Sequence, residues 1–172
     1  KSRNKAKKFI KGKFTAFLDA DDIWKKNKLK DQIKIMQNKG VDLSYTSYDI
    51  INQNGKKVGK RIVSGKSSYK KLSKRCEIGL STVIIKSSVF KKSKFPYLKT
   101  QEDLGLWLDL SRKGYVFQSL KKILSSWRKV DDSLSTNNFQ KLADAFKLFY
   151  FFEKKNVIFS IYSVLVLSIN KI

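Results

Sequence analysis

The chain has 172 residues, a hydrophobic share of 41% and a net charge of +24, enough length and apolar content for one domain with a buried core, which excludes a disordered tail. Its basic residues are mostly lysines scattered in pairs such as Lys7-Lys8, Lys25-Lys26, Lys56-Lys57, Lys70-Lys71 and Lys121-Lys122, which argues against a dedicated nucleic-acid binder with clustered, arginine-rich charge. There is no histidine and one cysteine, Cys76, so Ser-His-Asp and Cys-His catalysis, the common zinc sites and an internal disulfide are excluded, carboxylates must carry the chemistry, and a reducing compartment fits.

Biased usage of lysine, asparagine and isoleucine accounts for most of the positive charge, with an anionic membrane surface as the second explanation. The opening stretch, Lys1 to Lys8, has neither an initiator methionine nor the apolar core of a signal peptide and reads as the interior of a longer protein. Arg3 to Ile10 fits a short helix, Lys11-Gly12-Lys13 a turn, and Phe14 to Leu18 a buried strand. That strand runs into Asp19-Ala20-Asp21-Asp22, where Asp19 and Asp21 share a face because side chains two apart on a strand do. Oxygen donors so placed suit Mg²⁺ or Mn²⁺, whose shell is completed by substrate phosphates and water, so the substrate is expected to be phosphorylated or nucleotide-linked. The rival reading is a polar connection in which one aspartate caps the next helix.

Downstream, Asn27 is a candidate cap for a helix with Leu29, Ile33 and Met36 at helical spacing and Gly40 as its stop. Val41 to Ile51 reads as a strand, Asn54-Gly55 as a turn and Val58 to Val63 as its return. A helical stretch around Ser68 to Lys74 precedes a short buried strand, Ser81 to Ile85. Thr100-Gln101-Glu102-Asp103 opens an amphipathic helix with Leu104, Trp107 and Leu108 on one side and Gly114 as its stop, and Thr100 with Asp103 resembles a capping box. Tyr115 to Trp127 holds two strand-like runs, Asp131 to Asn138 is a polar connection, and Asn138 to Glu153 is a helix with an aromatic flank. The last apolar segment, Val157 to Ile169, is too short to span a bilayer, and Ser160, Ser163 and Asn156 mark a polar stripe on it. A docked helix, an interfacial anchor and a truncated span stay open for it.

The order of strand Phe14 to Leu18, Asp19-Ala20-Asp21-Asp22-Ile23-Trp24 and a helix from Asn27-Lys28-Leu29 closely resembles family 2 glycosyltransferases of the GT-A fold. Arg3-Asn4, Ala6 and Lys11-Gly12 are similar to the segment leading into the family's metal-binding strand, and Ser81 to Ile85 to its acceptor-side strand. Glu102-Asp103 with Leu106-Trp107-Leu108 resembles its catalytic helix, and Trp127-Arg128 with Ser133-Leu134-Ser135 its closing loop. The resemblance implies a GT-A-like α/β fold, a mixed sheet flanked by helices and incomplete at the N-terminus, with residues 1–135 the C-terminal portion of the transferase domain and 136–172 a helical, membrane-associated extension.

It further implies metal-dependent transfer of a sugar from a nucleotide-diphosphate donor to a hydroxyl of a glycan or lipid-linked acceptor, by a single inverting displacement. In that reading Asp21 holds the metal with Asp19 assisting or touching the ribose, and Asp19, Asp22 and Arg128 face the donor diphosphate. Asp103 is the base, Glu102 orients the acceptor or Asp103, and Ser81, Thr82 and Trp107 line the acceptor side. Many relatives carry a histidine near Trp127 to Asp131; here Arg128, Lys129 or water stands in its place. The expected location is the cytoplasm, peripheral on the inner face of the membrane. The competing class is a non-catalytic basic module binding anionic membrane, glycan or nucleic acid; a phosphoryl-transfer enzyme lacks a Walker-type loop.

Overall fold

The fold, a computed structural model describing residues 2–130 and 138–170, is organised by β3 (Leu43–Ile51), which is buried along nearly its whole length. A strand covered on both faces reads as a continuous apolar and small-polar run rather than a strict alternation. β3 pairs in parallel with β6 (Phe117–Arg128) and antiparallel with β4 (Lys57–Arg61) and β5 (Ile84–Lys86). β1 (Phe14–Ala16) lies outside β5, and β2 (Ile23–Trp24) outside β6, giving the order β1-β5-β3-β6-β2 with β4 beside β3. The sheet is therefore mixed and flanked by helices, as the resemblance implied.

Local sequence accounts for most of the connections. α1 (Ser2–Ala6) passes through a 3₁₀ turn, Lys7–Phe9, into β1. α2 (Lys28–Lys39) stops at Gly40, whose φ of 63° a side chain would resist. Its Met36 packs on Val41 and Ile84, whereas Leu29 is exposed, and Asn27 makes no side-chain cap bond. The β3–β4 turn closes through Gly55 at φ 79° and the Asn52 carbonyl.

Three elements differ from the sequence expectation. Ser81 to Ile85 is not one strand: Leu80–Thr82 forms a 3₁₀ turn and only Ile84–Lys86 pairs. The two runs between Tyr115 and Trp127 are one strand, β6, whose register against β3 shifts on either side of Ser47. The helix α6 (Asn138–Lys147) ends in a π-helical turn, Leu148–Phe152. Ser133 to Ser135 lie outside the described residues.

The remaining helices are α3 (Tyr69–Leu72), α4 (Ser87–Lys91), α5 (Glu102–Arg112) and α7 (Val157–Ile169). α5 lies in the core through Leu104, Leu106, Trp107, Leu108 and Leu110. Leu148 and Phe149 belong to the same core, and Val164 and Leu167 of α7 pack against it. Gly105 allows this approach: a Cβ there would come within 2.5 Å of Pro96 Cγ and 2.9 Å of Leu148 Cδ1.

Gly105→Ala is therefore expected to destabilise by about 1–3 kcal/mol, because overpacking exceeds the roughly 1 kcal/mol that alanine gains over glycine in a helix. A denaturant midpoint at or above that of the wild type would overturn this account of the contact.

Candidate active site

Phe17, the residue directly after β1, is fixed by edge-to-face contacts with Phe90 and Phe95 at centroid distances of 5.1 and 5.7 Å. With that anchor buried, the next residues turn out of the core and deliver Asp19, Asp21 and Asp22 to the sheet edge. There they meet the start of α5. One cleft of about 490 Å³ is lined by Arg3, Asp19, Asp21, Glu102, Asp103 and Arg128. A neighbouring one of about 620 Å³ shares Asp19 and Asp103 and adds Asp22, Tyr48, Ser81 and Thr82. The acidic end of the first strand and the acids of the helix start thus face common space.

Crowded carboxylates repel unless cations separate them. Arg3 supplies one: its guanidinium donates to Asp19 Oδ1 at 2.6 Å and to Glu102 Oε1 at 2.7 Å, joining the two motifs. Arg3 is itself held in place. Asn4 exchanges two hydrogen bonds with the Phe95 backbone, at 2.9 and 3.0 Å, and the Phe95 ring lies under the guanidinium at 5.8 Å. In sequence, Arg3 stands out only as part of a resemblance; its charge-bridging role has no signal in local spacing.

Arg128 is the second. Its Nε donates to the Asp21 carbonyl and its Nη1 to the carbonyls of Asn52 and Gln53, while its backbone N–H donates to Asp22 Oδ1 at 2.9 Å. It lines the cleft, with these guanidinium bonds committed to tying the acidic loop to the β3–β4 turn. Burial raises the Asp22 carboxyl above the usual carboxylate range, against hydrogen bonds from Ser81 and Arg128, and the charges of Asp21 and Asp19 add to the rise.

The 3₁₀ turn is tied to the same loop. Ser81 Oγ accepts from the Asp19 N–H at 3.0 Å, the Ser81 carbonyl accepts from Trp24 Nε1 at 2.7 Å, and Thr82 Oγ1 donates to the Gly79 carbonyl. Trp107, placed on the acceptor side by resemblance, instead lies fully inside the core and does not line the cleft. Its position on α5 decides this: Asp103 and Trp107 are one turn apart, but Glu102 and Asp103 emerge at the helix start whereas residues 104–108 are all buried.

Asp103 is half-buried, and burial, then the neighbouring Glu102, push its carboxyl up to about 6 against a bond from the Leu104 N–H. The expected capping box does not form. Gln101 takes the cap position in the left-handed region at φ 62°, and Thr100 is held by Asp144 of α6, whose Oδ2 accepts from the N–H groups of Lys99 and Thr100 and from Thr100 Oγ1. A non-glycine residue held there costs of order 1–3 kcal/mol and persists only where its surroundings impose it. Cys76 is no nucleophile: burial pushes its thiol up to about 12.

Sequence analysis missed a buried amine behind the cleft. Lys28 is fully buried, donates to Gln32 Oε1 at 2.7 Å and lies 4.5 Å from the centre of the Trp24 ring. Gln32 donates onward to Ser44 Oγ and the Thr82 carbonyl, both at 3.0 Å. Burial brings Lys28 down to about 7.

Residues 1–98 match the model of glycosyl transferase family 2. The chain belongs to this family. Among curated members it is 38% identical over 142 residues to WfgD of Escherichia coli, a UDP-Glc:alpha-D-GlcNAc-diphosphoundecaprenol beta-1,3-glucosyltransferase, in an alignment covering 82% of this chain and 55% of WfgD. WfaP of Escherichia coli, which carries the same activity name, is 34% identical over 141 residues, covering 82% of this chain and 55% of its own length. The chain thus spans about half the length of these family members. Its fold superposes on Staphylococcus aureus TarS 1–349 in complex with UDP-GlcNAc with a TM-score of 0.64, covering 95% of this chain and 50% of TarS 1–349 at 19% identity. That likeness shows the fold.

Because the folded state holds Lys28 below its unfolded value of about 10.4, the unfolded chain binds the extra proton between pH 7 and that value, and stability rises with pH across the window. Lys28→Met removes this slope. Relative to the variant, the wild type is expected to gain about 1–3 kcal/mol between pH 7 and 9; parallel pH dependences in urea melts would contradict a buried, neutralised amine.

Proposed function

We propose that the protein transfers a sugar from a nucleotide-diphosphate donor to a hydroxyl of a surface-polysaccharide or lipid-linked glycan precursor. The observation that carries this reading is the convergence of Asp19 and Asp21 with Asp103 on adjoining clefts, in a chain of family 2.

The donor set at the acidic loop fits a hard divalent ion shared with a substrate. Among the described residues no three His, Cys, Asp or Glu side chains are grouped as a closed metal cage. Asp21 is exposed and lines the cleft, with Asp19 beside it, and one or two carboxylates plus phosphate oxygens are the usual surroundings of Mg²⁺. Asp21 with Asp19 would hold Mg²⁺ or Mn²⁺, which supplies Lewis-acid neutralisation of the diphosphate when bound.

Asp103 takes the proton of the acceptor hydroxyl as its oxygen bonds to the anomeric carbon. The bond from that carbon to the donor diphosphate breaks with the electron pair leaving on the nucleotide diphosphate, and the anomeric centre inverts. A base with a pKa of about 6 is ionised at neutral pH yet basic enough to accept the proton as the bond forms. Glu102, fixed by Arg3, holds its negative charge next to Asp103 and helps keep that pKa raised. Ser81 and Thr82 line the acceptor side.

The reading extends to peripheral attachment at the inner face of a membrane. No helix among the described residues is long and apolar enough to cross one, but α7 supports a surface role. The serines of the polar stripe, Ser160 and Ser163, are turned inward, while Ile158, Ile161, Tyr162, Leu165 and Ile169 are exposed. Such a face suits an acyl boundary, and the +24 charge suits acidic headgroups. The charge also favours the rival reading of a non-catalytic module; donor turnover separates the two.

In the full-length protein, Asp103→Asn is expected to lower transfer by about 100-fold or more, with folding intact and, above pH 6, a higher melting temperature, since the variant no longer ionises a buried group. Wild-type kcat/KM should fall on an acid limb near pH 6, where Asp103 takes up its proton. Asp21→Asn should remove metal-dependent hydrolysis of the donor; a fully active variant would overturn the metal role of Asp21, and a wild type that hydrolyses no donor would leave the binding-module reading standing. In co-sedimentation, vesicles rich in acidic lipid should retain the protein better than neutral ones, and equal retention would sink the membrane reading.

A further inference from the structure

A cavity of about 150 Å³ lies between the core and the C-terminal helices, and it is lined by Arg61, Arg75 and Lys141 together with Leu142, Val164 and Leu167. Gln101, Ser168 and Asn170 add neutral polar groups to the lining. The cationic side chains come from the end of β4, the segment after α3 and α6, and the apolar wall is the inner face of α6 and α7. Arg75 is exposed, so its charge is available at the cavity mouth.

The cavity also adjoins the active site. Arg61 lines both it and the cleft holding Tyr48 and Asp103, and Lys141 lines both it and the cleft holding Glu102 and Asp103. A ligand whose hydroxyl reaches Asp103 can therefore place an attached anion among Arg61, Arg75 and Lys141. Beyond them its continuation meets Val164 and Leu167, on the helix whose other face is exposed and apolar.

We propose that this cavity is the seat of the diphosphate linker of an amphiphilic acceptor, in which a prenyl diphosphate carries the hydroxyl-bearing group that reaches Asp103, with its chain leaving along α6 and α7. The proposal rests on the sugar-transfer reading with a lipid-linked acceptor, and it adds the residues that recognise the linker. Guanidinium groups match phosphate oxygens in bidentate geometry, and Lys141 adds a point charge. The apolar wall gives preference for a diphosphate carrying a hydrocarbon chain over free diphosphate.

The test is direct binding of farnesyl diphosphate to the full-length protein by titration calorimetry, with inorganic diphosphate and farnesol in parallel. Farnesyl diphosphate should bind more tightly than either. The double variant Arg75→Ala/Lys141→Ala should weaken it by about tenfold or more, and Arg75→Lys/Lys141→Arg should restore most of the loss. Lys30→Ala/Lys34→Ala, on the remote helix α2, controls for general attraction by the net charge and should change nothing. Unchanged binding in the first double variant, or equal losses in the control, would overturn the proposal. Binding is read without turnover. Loss of activity in Asp103→Asn with linker binding intact supports both readings, whereas a wild type that binds the linker but turns over no donor overturns the transferase reading alone.

Discussion

Five carboxylates sharing two adjoining clefts would repel one another, and the rest of the structure is arranged around keeping them apart. Arg3 stands between Asp19 and Glu102, and Arg128 closes the acidic loop from the other side. Both arginines reach the cleft through contacts with segments distant in sequence. α1 is pinned by Asn4 to the Phe95 backbone so that Arg3 can reach the cleft. β6 must run its full length beside β3 before Arg128 meets Asp21 and Asn52. The sheet and the first helix thereby carry cations to a place where the chain itself has concentrated negative charge. What they leave unneutralised is informative: Asp21 remains exposed, and Asp103 keeps a raised pKa.

Behind the cleft a second, uncharged constraint operates. Trp24 donates to the carbonyl of Ser81, Lys28 lies over the Trp24 ring, and Gln32 reaches the carbonyl of Thr82. These contacts hold the 3₁₀ turn from the rear while Ser81 Oγ holds the Asp19 N–H from the front. An amine is a costly choice in a buried position. It is tolerated through one hydrogen bond to Gln32 and the face of an indole.

Much of the fold was legible in sequence because its signals are local. Gly40 and Gly55 mark positions needing positive φ, the apolar run of Phe14 to Leu18 ends where the acids begin, and the last helix coincides with Val157–Ile169. The misses arose where distant partners decide. Thr100 has the sequence of a helix cap, but the buried carboxylate of Asp144 takes its donors. Ser81 to Ile85 has strand composition, yet the bonds that Ser81 accepts from Trp24 Nε1 and the Asp19 N–H favour a turn over its first residues. Trp107 sits in a motif that emerges from the core only at its first turn. The stripe of Ser160 and Ser163 does not show in sequence which way it faces; their small size lets α7 lie close to the body, and Ile158, Leu165 and Ile169 are turned outward.

The contact between Asp144 and the Lys99–Thr100 backbone has a mechanical consequence. Asp144 belongs to α6, and the groups it holds immediately precede the left-handed Gln101 and the turn of α5 that presents Asp103. Leu148, one turn further along the same chain segment, is seated within reach of Gly105. The helix start at the cleft and the C-terminal helices therefore behave as one lever. A displacement of α6 has no slack to absorb it before it reaches the carboxylate.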